Sequence, residues 1–176
     1  MPWLKGNTHA HTSESDGDAP LAEVAGWYES HGYDFLVITD HNRVVDVSRW
    51  KGSDRLLLVR GCEVSLTSEG KPVHVCSLGS ARLPDLSTAG TIPAALQRAV
   101  DAVRAAGGVP QVNHPNYKWA LTDAQLRRIS VDNAQSHRQR GFGRMRGNPG
   151  HHPSWRTLHA AADGRTAYAF SHEHRR

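Results

Sequence analysis

The hexapeptide DFLVIT, Asp34 to Thr39, is almost wholly apolar. A strand without polar alternation is one buried on both faces, as in a parallel sheet covered by helices. Leu56 to Val59 (LLLV) and Val73 to Leu78 (VHVCSL) repeat the pattern. Helical spacing lies between such runs. Leu21, Val24, Ala25 and Tyr28 share one face, with Asp18 as a cap, Pro20 in the first turn and His31-Gly32 as the stop. Leu96, Ala99, Val100 and Val103 form a second face in a helix that Thr91 starts and Gly107-Gly108 ends. Trp3 to His9 and Gly108 to Asn113 read as further strands, and Thr122 to Gln125 as a capping box on a short helix. Strands alternating with helices predict an α/β fold on a parallel sheet or barrel.

At 176 residues the chain suits one domain. Its net charge of +4 is unevenly spread. Residues 1–129 hold 13 Lys and Arg against 14 Asp and Glu, and residues 130–176 hold 8 against 3. The body therefore has no electrostatic footprint for nucleic acid. The last 47 residues contain Val131 and Leu158 as their only Val, Ile or Leu, against 29 in the body, so they build little core alone. No run of 18 apolar residues spans a membrane, and MPWLKGNTHAH lacks a secretory h-region. Cys62 and Cys76 have no metal-finger spacing and read as reduced core thiols of a cytoplasmic protein.

The polar residues with ligand chemistry collect around the strands. His9 and His11 follow the first, Asp40 and His41 follow DFLVIT, Glu63 follows LLLVRGC, His74 lies within VHVCSL, and His114 closes GVPQVN. In a parallel barrel the C-terminal strand ends share one face, where active sites are built. His and carboxylate side chains gathered there suit Zn²⁺, Mn²⁺ or Fe. Each has a plainer reading alone: a polar strand end for the H-x-H pair, an ion-paired carboxylate for Glu63, a core histidine for His74. Their joint placement favours a metal site.

The ordered set is H-x-H-T (His9 to Thr12), S-D-G (Ser15 to Gly17), T-D-H-N (Thr39 to Asn42), G-x-E (Gly61 to Glu63), V-H-V (Val73 to Val75) and N-H-P (Asn113 to Pro115). It resembles the PHP superfamily, the polymerase and histidinol phosphatase domains, and within it the carbaryl-hydrolase-like branch. GWYESHGYDFLVITDHN, GKPVHV, AVRAAGGVPQVNHPN and WALT carry that resemblance over residues 3–129. It implies a single PHP domain over 1–176, a distorted (βα)7 TIM-like barrel altered or incomplete at its C-terminus, with two or three divalent ions. His9 and His11 would hold the first ion, Glu63 would bridge to a second completed by His74 and His114, and Asp16 and His41 would hold a third. Asp40 would be a proton-handling or supporting carboxylate beside His41, and Glu14 would be merely solvated. A closing Asp-x-His motif has its nearest counterpart in His172 and His174 of AYAFSHEH, with a disordered end as the other reading. Residues 130–152 fit the family poorly, with Ser130 where a Glu is usual. Divergence, truncation or a frame change would each explain this.

The implied function is hydrolysis by a metal-activated water. A phosphoester of a small molecule is the first expectation, with Arg43 and Lys118 as cations for its anion. Carbamate or amide hydrolysis is the alternative, with an apolar pocket that includes Trp119, and a non-catalytic metal-binding remnant is the second alternative. The chain has no G-x-S-x-G elbow, Walker loop or dinucleotide fingerprint. The expected partner is a small-molecule substrate, with neither nucleic acid nor membrane.

Overall fold

The computed structural model describes residues 4–80, 82–87 and 90–129. Five strands form one sheet in sequence order: β1 (Gly6–Ala10), β2 (Phe35–Ile38), β3 (Leu57–Ser68), β4 (Lys71–Leu78) and β5 (Val109–Val112). Three α-helices accompany them, α1 (Leu21–Ser30), α2 (Ile92–Ala105) and α3 (Asp123–Leu126). The β1–β2 and β2–β3 pairs are parallel, whereas β3–β4 and β4–β5 are antiparallel.

This corrects the expectation of a (βα)7 TIM-like barrel. The described residues form a curled half-barrel with mixed strand directions. The cause is local. Glu69 and Gly70 both have positive φ, 52° and 69°. That is the backbone of a tight hairpin turn, and it reverses the chain after Ser68. A parallel crossover needs a dozen or more residues, and two cannot supply one. The run Val73–Leu78 therefore returns beside β3 instead of following a helix.

β3 also extends well past LLLV, because its second half alternates. Cys62, Val64 and Leu66 pack with Val73, Val75 and the buried face of α2 (Ile92, Ala95, Leu96, Ala99, Val100 and Val103). Glu63 and Ser65, between them, point to the other face. A second cluster joins α1 to β1 and β2 through Leu21, Ala25, Tyr28, Leu36 and Ile38. Thr91 caps α2 as expected, and Thr122 with Gln125 forms the expected capping box on α3. Asp18 does not cap α1: Pro20 occupies the cap position, with no side-chain bond.

The curl brings opposite edges of the sheet together. Thr8 of β1 donates to the Gln111 side chain of β5 at 2.9 Å, although three strands lie between them. In a flat sheet those edge strands would be about 19 Å apart. The concave face is therefore narrow, and its side chains meet. No helix among the described residues is long and apolar enough to cross a membrane.

Candidate metal centre

Pairing continues just past the strand ends and carries the ligand-type residues into register. Thr39 N–H donates to Ala10 O at 2.8 Å, Glu63 N–H to Asp40 O at 3.1 Å, and Asn113 N–H to His74 O at 3.1 Å. His41 and Glu63 form an isolated parallel bridge. These steps set His9, His41, Glu63, His74 and Asn113 side by side on the concave face.

Glu63 is the hub and is fully buried. Its Oε1 lies 3.0 Å from His114 Nε2, 3.4 Å from His74 Nδ1 and 3.6 Å from His9 Nε2. Its Oε2 lies 2.9 Å from His41 Nδ1 and 3.4 Å from His11 Nε2. Burial pushes the Glu63 carboxyl up, but the close approach of the His114, His41, His74 and His9 ring nitrogens outweighs it, so the group is held well below the usual carboxylate range. Burial drives His9 the other way, down to about 3 against the attraction of Glu63, and lowers His11 as well. His41 is raised, chiefly by the Glu63 carboxylate beside it.

Three groups of donor atoms lie within 4.8 Å of one another: His9, Glu63 and Cys76; His11, Asp16 and His41; and Glu63, His74 and His114. The last matches the expected second site. Asp16 and His41 stand together as expected, with His41 Nε2 3.3 Å from Asp16 Oδ2. His11 joins them, its Nδ1 2.7 Å from Asp16 Oδ1, so this group has three protein donors without any residue beyond 129. His172 and His174 lie outside the described residues.

The loop carrying Asp16 is held in shape. Gly17 N–H donates to Thr12 O at 3.0 Å, and a Cβ at Gly17 would come within 2.7 Å of the His11 carbonyl. Asp40 is fully buried below this loop. It accepts hydrogen bonds from Thr12 N–H at 2.9 Å, Thr12 Oγ1–H at 3.1 Å and Ser15 Oγ–H at 2.6 Å. These bonds make Asp40 an anchor that positions the Asp16 loop, the supporting one of its two expected parts.

Neither expected substrate cation pairs with Glu63 among the described residues. Arg43 is bound to Glu14 at 2.5 Å, and Arg49 reaches the same carboxylate at 3.2 Å. Glu14 is thus ion-paired rather than merely solvated, and both guanidinium contacts lower its carboxyl. Lys118 is exposed, with its Nζ 5.3 Å from the Tyr117 ring centre. Trp119, proposed as a pocket wall, is 81% exposed. The shallow cleft beside the hub is lined instead by Pro72, His74, His114, Tyr117, Ala120 and Leu121.

Residues with no assigned role in the sequence reading complete the centre. Asn113 donates to Glu63 Oε1 at 2.6 Å and to Cys76 Sγ at 2.8 Å. Cys76 is a free, buried thiol whose pKa burial raises. The signal for Cys76 was its spacing of two from His74, which puts both on one strand face. Thr39 and Ser65 contact the Nδ1 atoms of His9 and His41, at 2.7 Å and 2.5 Å.

The donor set can be tested for its fit to metal. Glu63 Oε2 and His74 Nδ1 are buried and make no hydrogen bond among the described residues. Buried polar atoms are normally paired, so two orphans of ligand type facing one cluster suit a cation. No family model matches the chain, and no curated protein matches it.

Proposed function

We propose that this chain is a metal-dependent hydrolase that acts on a small phosphoester, as the resemblance of its motifs to the PHP superfamily implies. One observation carries the reading: a fully buried carboxylate, Glu63, stands within 3.6 Å of nitrogens from five histidines. Such a set without an ion is a costly arrangement of buried polar groups. Two or three Zn²⁺, Mn²⁺ or Fe ions would satisfy these donors. Glu63, His74 and His114 would hold one ion, His11, Asp16 and His41 another, and His9 beside Glu63 a further one.

Bound divalent ions supply a water of lowered pKa and polarise the oxygen under attack. The chain's own residues do the rest. Asn113 fixes the Glu63 carboxylate through Oε1. Asp40 holds the loop that presents Asp16.

A carbamate or amide substrate is the second reading, and the Arg43–Glu14 pair favours it. A neutral substrate needs no guanidinium, and this one is already engaged.

The test is metal analysis of the purified full chain with rates on p-nitrophenyl phosphate and 1-naphthyl N-methylcarbamate. Metal uptake with phosphatase activity is expected, and Glu63→Gln should lower metal content and abolish turnover. A wild-type protein that takes up no Zn²⁺, Mn²⁺ or Fe overturns the proposal. Carbamate turnover without phosphatase activity reverses the ranking of substrates.

A further inference from the structure

We infer that Thr39 is a positioning residue that fixes His9 as its Nδ1–H tautomer and so presents Nε2, lone pair outward, to the metal centre. The inference rests on the metal-binding reading for its consequence, but not for the tautomer itself.

Thr39 is fully buried, and its Oγ1 lies 2.7 Å from His9 Nδ1. The same oxygen receives Ala10 N–H at 3.2 Å and can give its own proton to Ala10 O at 3.3 Å. The other ring nitrogen, Nε2, has Glu63 Oε1 as its neighbour at 3.6 Å, beyond hydrogen-bond range. Two proton arrangements are open to a neutral ring. With the proton on Nε2, the hydroxyl must turn from Ala10 O to Nδ1, and the N–H has Glu63 Oε1, at 3.6 Å, as its nearest protein acceptor. With the proton on Nδ1, the ring donates to Thr39, Thr39 donates to Ala10 O, and every donor is used. Cys76 Sγ, 3.3 Å from Nδ1, is a second acceptor for that same N–H. It already takes a hydrogen bond from Asn113.

The second arrangement leaves the donor lone pair on Nε2, directed at Glu63. A ligating histidine needs that assignment, because its far nitrogen must hold the proton and the ring must not turn. Valine at position 39 would keep the shape and remove the acceptor.

Long-range ¹H–¹⁵N spectra of the metal-free, ¹⁵N-labelled full chain read the tautomer directly. The expected result is His9 protonated on Nδ1 in wild type and in Thr39→Ser, and a shift towards the Nε2–H form in Thr39→Val. Zn²⁺ affinity should fall about 10- to 100-fold in Thr39→Val and recover in Thr39→Ser. A wild-type His9 protonated on Nε2 overturns the inference, and that measurement needs no variant to fold. So does a Thr39→Val protein that keeps the Nδ1–H form with unchanged zinc affinity. If wild type takes up no metal while His9 is the Nδ1–H tautomer, the hydrolase reading fails and the positioning assignment of Thr39 stands.

Discussion

Replacing Asn113 by leucine keeps the side-chain size and removes the amide that donates to Glu63 Oε1 at 2.6 Å. Asn113 is buried, so water does not take over the bond. A hydrogen bond to a charged group contributes about 1.5–3 kcal/mol, against roughly 0.5–1.5 for a neutral pair. In metal-free protein Asn113→Leu should therefore cost about 2 kcal/mol. For a chain of this size that is a drop of roughly 4–8 °C in Tm. Leucine also adds apolar contact, an effect common to any background. Repeating the substitution in Glu63→Gln cancels it and isolates the interaction. The cycle of the four proteins, measured by urea unfolding in chelator, should give a coupling of about 1 kcal/mol or more. A coupling within about 0.3 kcal/mol of zero would refute the placement of Asn113 as the residue that steadies the buried charge.

Acid should weaken the metal-free protein. His9 is held at about 3 by burial, so below its ordinary pKa of 6.5 the unfolded chain takes up a proton that the native ring refuses. That group alone removes about 1.4 kcal/mol per pH unit below 6.5. The lowered pKa values of His11 and Glu63 act in the same direction, whereas the raised pKa of His41 contributes stability that is lost as pH rises above 6.5. Urea midpoints in chelator that stay flat from pH 6.5 to 4 would contradict this. Arg43 can serve an anionic substrate only by leaving Glu14, so Glu14→Gln should lower KM for p-nitrophenyl phosphate with kcat little changed; an unchanged or raised KM would remove Arg43 from the substrate site.

The concave-face residues were legible because strand-end position and residue type point the same way. His9, His11, His41, Glu63 and His114 all converge as their places after apolar runs suggested. The strand directions were not legible. Ser68-Glu69-Gly70-Lys71 lacks the Asn-Gly or Asp-Gly signature of a two-residue hairpin, and Glu69 takes positive φ with only Gly70 to favour the turn. With the hairpin unread, β3 seemed to stop at Val59, although Cys62, Val64 and Leu66 alternate with Glu63 and Ser65 as a half-buried strand should. Asp40 stands beside His41 in sequence, and the strand end turns it under the Thr12–Ser15 loop, where it takes the supporting one of its two expected parts. Thr39, Ser65 and Asn113 carry no ligand chemistry of their own. Their parts depend on what stands across the sheet, which spacing along the chain does not encode.

The curl that joins Thr8 to Gln111 also sets an order of assembly. His11, Asp16 and His41 belong to the first two strands and the loops that follow them, so a nascent chain carries all three donors once residue 41 has emerged. Glu63, His74 and His114 need the hairpin and β5, and their contacts span up to 51 residues. Synthesis at about 5–20 residues per second separates the two sets by seconds. A cation caught early by the first group would wait at an open rim until β5 closes the concave face and Glu63 gains its last histidine. Non-local pairing slows folding in general, and His114 is the last of the five hub histidines along the chain.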